Sequence, residues 1–127
     1  MKLFITLLLG VLVLFPSCKT KEDSNREVIE SGIVLIDAPS KAIVGDNVKV
    51  TVHFTGHNGC TQPYSIEADK VGQTITLRAF YSLENDQICT ANIQNFSLEY
   101  DFFADLPGPY FFISSFDNTI SDTLVVQ

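Results

Sequence analysis

Between Asp46 and Cys60, Val48, Val50, Val52 and Phe54 alternate with Lys49, Thr51, His53 and Thr55. Successive side chains of a strand point to opposite faces, so this period of two, β-branched or aromatic on one side and polar on the other, predicts a half-buried strand. Such a strand needs a second apolar layer to cover it, and the rest of the chain offers one. Gly32 to Ile36 is a short β-branched run ended by Asp37-Ala38-Pro39-Ser40, and Gly45-Asp46-Asn47 turns the chain into the next strand. Tyr64 to Ala68 carries a weaker alternation, and Asp69 to Gln73 reads as a turn before the strand of Ile75, Leu77 and Ala79. Ser82 to Gln94 is irregular and polar apart from Ile88 and Ile93. Phe96, Leu98, Tyr100 and Phe102 alternate with Ser97, Glu99 and Asp101, and after the Ala104 to Pro109 corner come Tyr110 to Ile113 and Ile120 to Val126. About seven short strands with no helical pattern among them predict an all-β, antiparallel sandwich over 32–127.

Composition narrows this picture. With 127 residues, 46% of them hydrophobic, the chain has room for one domain with a real core. Ten Phe without any Trp suit a packed β core better than a disordered acidic tail. A formal charge of −7 repels phosphate backbones and anionic headgroups, so nucleic acid is not an expected partner.

The N-terminus has a different pattern. After Met1-Lys2, Leu3 to Phe15 is an apolar run broken only by Thr6 and Gly10, too short to cross a bilayer and suited to the h-region of a secretory signal. It ends in Phe15-Pro16-Ser17-Cys18, where Phe15 at −3 makes an ordinary signal-peptidase site poor. A cysteine after a small residue at the end of an h-region resembles the lipobox of bacterial lipoproteins, whose looser forms occur in the Bacteroidota. Phe15 and Pro16 stand where most lipoboxes carry Leu and Ala or Ser. The resemblance implies a signal peptide over 1–17, Cys18 as the acylated new N-terminus, and a membrane attachment through that lipid. Lys21-Glu22-Asp23 resembles the export signal of surface-exposed Bacteroidota lipoproteins, which implies an outer-membrane, cell-surface location. The remainder of 18–31 reads as a polar tether.

Gly108-Pro109-Tyr110-Phe111-Phe112 resembles the Gly-x-Tyr-x-apolar start of the sixth strand in immunoglobulin-like domains. In that family the tyrosine hydroxyl ties the preceding corner, a part that falls to Tyr110 with Gly108 beside it. The family's inter-sheet cysteine pair and core Trp are absent from this sequence. With Cys18 acylated, Cys60 and Cys89 remain, an even number in an exported chain. If strands run alternately up and down, Cys60 ends the second and Cys89 follows the fourth, which puts both at one end and predicts a structural disulfide. The pair lacks the Cys-x-x-Cys spacing of a redox site.

No constellation in the chain names a reaction. His53, His57 and Cys60 are close in sequence, but one histidine faces outward on a strand, the other sits in a turn, and Cys60 is already assigned, so no metal is expected. There is no Gly-x-Ser-x-Gly and no phosphate-cradling glycine loop, and no cofactor is expected. Glu99 and Asp101 have the look of a glycosidase carboxylate pair, yet they project from the solvent face of one strand. The expectation is a non-catalytic binding or structural module that holds a protein or glycan ligand on its end loops, Gly56 to Pro63, Ser82 to Gln94 and Ser114 to Thr119. Val44-Gly45-Asp46-Asn47-Val48 before an Asn-containing turn also resembles the opening of chagasin-like cysteine-proteinase inhibitors, which implies inhibition as the alternative activity. The turn here reads Gly-His-Asn-Gly-Cys where that family has a Thr-Thr-Gly loop. Asp122-Thr123-Leu124 resembles the O-glycosylation tripeptide of Bacteroidota export proteins, with Thr123 as acceptor.

Overall fold

The computed structural model describes residues 26–85 and 87–127. Cys18 and the Lys21, Glu22, Asp23 segment lie outside the described residues. The described chain forms β1 (Arg26–Ser31), β2 (Ile33–Asp37), β3 (Lys41–Ala42), β4 (Asn47–Gly56), β5 (Thr61–Val71), β6 (Thr74–Glu84), β7 (Gln94–Phe103), β8 (Gly108–Ser114) and β9 (Ser121–Val126). One sheet runs β2-β4-β7. The other runs β1-β6-β8-β9-β3, with β5 on the free side of β6.

The core forms where the period of two predicts it. Val48, Val50, Val52 and Phe54 of β4 face Ile75, Leu77, Ala79 and Tyr81 of β6, and all eight are buried. On β7, Phe102 is fully buried, while Phe96, Leu98 and Tyr100 are half-buried and pack against the same core. Burying a side chain of this size stabilises by roughly 1.5 to 3 kcal/mol, so these inward positions hold the sheets together.

Three departures from the sequence expectation have physical causes. Arg26–Ser31, expected within the tether, is a strand that pairs antiparallel with the second half of β6, Arg26 opposite Glu84 and Ser31 opposite Ala79. Its sequence carries almost no alternation, because it is a short edge strand that puts only Ile29 against the core. β5 begins earlier than Tyr64, its period interrupted by Pro63 and by a register shift between Pro63 and Ser65. A proline and a bulge are tolerated there because β5 is an edge strand. Finally, β6 continues to Glu84 into the stretch expected to be irregular, where it is held on one side by β1 and on the other by β5.

Most ladders are antiparallel, but β6 pairs with β8 and β3 with β9 in parallel. The β5–β6 hairpin closes through a two-residue loop in which Gly72 takes φ +61° and Gln73 does not leave negative φ. A positive φ at the first of two loop residues is the type II′ pattern whose twist matches the strands.

Candidate functional site

β4 ends at Gly56, where a side chain would collide with Thr61 Oγ1 and with the Phe96 ring 2.7 Å away, so the strand can turn there only as glycine. The following turn is self-tied. Asn58 Oδ1 accepts from the Cys60 N–H at 2.9 Å, and Thr61 Oγ1 donates to the Asn58 carbonyl at 2.7 Å, the local bonding for which Asn is favoured in turns. The turn is also joined to the β6–β7 loop. Gly59 N–H donates to Thr90 O at 2.9 Å, and Cys60 and Cys89 form a disulfide with Cα atoms 5.4 Å apart. The predicted pair is therefore in place, and it brings 56–63 beside 82–94 at one end of the sandwich. The third expected loop is set back from these two: Ser115 N–H donates to Leu77 O, well short of the end of β6.

This stapled end displays two apolar side chains, with Ile88 fully exposed and Ile93 69% exposed. Beneath Ile93 the two sheets part into an open cleft of about 290 Å³ lined by Glu30, Ser31, Gly32, Thr55, Gly56, His57, Tyr81 and Ile93. Tyr81, only 6% exposed, is the last buried apolar residue of β6, and its hydroxyl lies 2.6 Å from His57 Nδ1 with the rings edge to face at 5.5 Å. Burial raises the Tyr81 pKa, with Glu27 adding to the effect, so the phenol keeps its proton and shares one hydrogen bond with the imidazole. Ser31 Oγ donates to Thr55 O at 2.6 Å and so ties the β1–β2 crossover to β4. Arg78 makes a two-pronged contact with Glu30, Nε to Oε1 at 3.1 Å and Nη2 to Oε2 at 3.0 Å, and Ser115 Oγ donates to Oε1 at 3.0 Å. The Arg78 bond, more than offsetting partial burial, holds the Glu30 carboxyl below the usual glutamate range.

The other residues singled out in the sequence fall elsewhere. His53 faces outward on β4 with its Nδ1 2.7 Å from Ser97 Oγ, separate from the His57–Tyr81 pair. Glu99 and Asp101 are bridged by Lys49, whose Nζ lies 3.5 and 2.9 Å from them, and the ammonium's pKa is raised chiefly by its hydrogen bond to Asp101. Tyr110 is at the opposite end, 2% exposed, its hydroxyl donating to Leu106 O at 2.9 Å. Gly108 beside it has φ +126°, and a Cβ there would meet the Gln73 amide at 2.6 Å. Thr123 is exposed on β9, while Asp122 accepts from the N–H groups of Ala38 and Thr123 at 2.8 Å each.

Sequence reasoning did not find Tyr81, Glu30, Ser31 or Gly32 as site residues. Tyr81 has the ordinary alternation of a core position, Glu30 and Ser31 lie in the stretch read as tether, and Gly32 opens the first predicted strand.

Two sheets packed face to face, joined by a disulfide at one end, define a stapled β-sandwich domain. Residues 49–126 match the family model described as the ORF11 beta-sandwich domain, and the chain belongs to that family. No curated protein and no solved structure gives a significant match.

Proposed function

We propose that this chain is a lipid-anchored outer-membrane protein, exposed at the cell surface, whose sandwich is a non-catalytic binding module working through its stapled end. The observation that carries the binding role is the pair of loops locked by Cys60–Cys89 and Gly59–Thr90, which hold a fully exposed Ile88 and a mostly exposed Ile93 in fixed positions. Large apolar side chains are costly to leave in water, and a rigid loop loses little conformational freedom when it meets a partner. The anchor rests on Cys18 at the end of the Leu3 to Phe15 run, and surface export on Lys21-Glu22-Asp23. The partner is a protein or a glycan of the envelope. Thr123, exposed on β9 within Asp122-Thr123-Leu124, is the proposed glycan acceptor; an unshifted mass for the natively purified protein removes that assignment.

The test has two arms. Cys18→Ala is expected to abolish labelling by a fatty-acid analogue and to release the protein from membranes; persistence of both overturns the anchor. Retention of the protein on immobilised envelope protein and polysaccharide fractions is expected to drop at least about tenfold in Ile88→Asp with Ile93→Asp. Equal retention of the variant and the parent overturns the loop site. Inhibition of a papain-like proteinase at or below about 1 µM would replace this reading by the chagasin-like one.

A further inference from the structure

We infer that the cleft between Glu30, Gly32, His57, Tyr81 and Ile93 is a subsite for one neutral sugar ring, such as a terminal or branching hexopyranose of a glycan. This inference rests on the binding-module reading above and gives it a ligand class. At about 290 Å³ the cleft lies at the lower end of the roughly 300 to 1,000 Å³ of ordinary ligand pockets, room for a single small ring and not for an extended cofactor.

The one carboxylate in the lining, Glu30, is already matched by the two-pronged Arg78 contact, so the cleft holds no unpaired carboxylate to favour an amine over a neutral ligand. Nδ1 of His57 is engaged by the Tyr81 hydroxyl at 2.6 Å, which leaves Nε2 as the ring's directional partner for a ligand hydroxyl, a group that can both donate and accept. Arg78 and Ser115 engage three of the roughly four lone-pair sites of the Glu30 carboxylate, and the one left on Oε2 makes it an acceptor for a second hydroxyl. Ile93 and the ring edges of His57 and Tyr81 provide an apolar wall. A ring with hydroxyls around its rim and C–H groups on its faces is an uncharged ligand that uses the imidazole, the carboxylate and the wall together.

Gly32 supplies a clean test. Gly32 is part of the cleft lining, a Cβ built on it meets nothing within 4 Å, and its φ is not in the left-handed region, so a larger side chain is accommodated at the cleft without disturbing the fold. The full-length chain in detergent is probed by saturation-transfer NMR with glucose, galactose, mannose and N-acetylglucosamine, alongside glucosamine and glucuronate as charged congeners. At least one neutral sugar is expected to bind with a Kd on the order of 1 to 10 mM, as suits one small ring. Gly32→Leu, with an unchanged melting temperature, is expected to weaken it at least about tenfold, and His57→Ala to weaken it several-fold. The inference is overturned by no transfer from any neutral sugar at about 50 mM, by unchanged binding in Gly32→Leu, or by a stronger signal from a charged congener. Envelope retention that persists while the sugars fail rejects this subsite alone. Sugar binding that stays intact in the Ile88/Ile93 variant, which replaces the Ile93 wall by a carboxylate, overturns the subsite while leaving the loop site standing.

Discussion

At the end where β7 passes to β8, the sandwich is closed by its own backbone. Gly45 N–H donates to Ala104 O at 2.7 Å, Ala104 N–H to Asp46 O at 2.9 Å and Val44 N–H to Gln127 O at 3.0 Å. Under these bonds Phe102 packs on Tyr110 and Phe112, ring centroids 4.9 and 5.4 Å away, and Lys70 Nζ sits over the Phe102 and Tyr110 rings. The other end has fewer such ties. There, among the described residues, the β4–β5 turn is joined to the end of β6 and the β6–β7 loop by the disulfide and by two backbone hydrogen bonds, Gly59 N–H to Thr90 O at 2.9 Å and Glu84 N–H to Cys60 O at 3.4 Å, and the sheets part into a cleft instead of meeting in a filled aromatic cluster. A crosslink between loops holds a surface in place without filling the space beneath it, so the stapled end can be rigid and open at once. Packing, by contrast, rigidifies only by occupying that space.

Breaking the staple has the largest expected effect. The 29-residue separation of Cys60 and Cys89 corresponds to roughly 3 to 4 kcal/mol in the chain-entropy account. Cys60→Ala, Cys89→Ala and the double variant are expected to lose this amount equally in urea unfolding, since each removes the same bond. The native protein, unfolded without reductant, is expected to carry no free thiol from either residue. Two reactive thiols there would dissolve the contrast between the ends.

At the packed end the corresponding change is Tyr110→Phe. It preserves the ring contacts with Phe102 and removes only the hydroxyl that donates to Leu106 O. The expected loss is about 1 to 1.5 kcal/mol, roughly a third of that for the disulfide, with no effect on ligand binding at the far end. A loss as large as that of the cysteine variants would mean that the corner, not the staple, governs stability.

The two ends were unequally legible in the sequence. Tyr110 and Gly108 lie within a five-residue pattern whose hydrogen bond runs back only to Leu106, and local bonding of that kind leaves a local signature. The Cys60–Cys89 pair was legible by counting and by the alternation of strand direction. The cleft was not. It joins the last buried apolar residue of β6, a turn histidine and a crossover whose charged, weakly alternating sequence looks like a linker, and no spacing rule connects Glu30 to His57 or Tyr81. The long strands β4 and β7 were legible because both put a full apolar stripe against the core. β1 and β5 were harder to read, as edge strands with few inward positions and, in β5, a proline and a bulge.

Acid sharpens the comparison, because a well-connected carboxylate sits beside the cleft. The folded pKa of Glu30 lies below its unfolded value, so its contribution is fully present above the ordinary glutamate range and is lost as pH falls through the lower folded value. Asp117, lowered chiefly by its hydrogen bonds from Thr119, acts in the same direction. Stability of the parent is therefore expected to fall over this acid window, and Glu30→Gln to show a shallower fall, measured as urea midpoints against pH. Identical slopes would mean that the Arg78 contact does not persist in solution.

The smallest effect comes from a pair of buried serines. Ser31, 7% exposed, donates from Oγ to Thr55 O at 2.6 Å, whereas Ser114, 2% exposed, has no hydrogen-bond partner for its Oγ among the described residues. Removing a satisfied hydroxyl costs its bond and strands the acceptor, so Ser31→Ala is expected to lose about 1 kcal/mol. Removing an unsatisfied hydroxyl relieves a desolvation cost of comparable size and leaves a space of only one oxygen atom. Ser114→Ala is therefore expected to be neutral or to gain up to about 1 kcal/mol, with an unchanged denaturant slope. Opposite signs for the two substitutions follow from bonding alone, because both serines are buried at strand ends and both lose the same atom. A loss at Ser114 as large as that at Ser31 would show that its hydroxyl is bonded in solution, and the β8–β9 loop would then be tied down as firmly as the β1–β2 crossover.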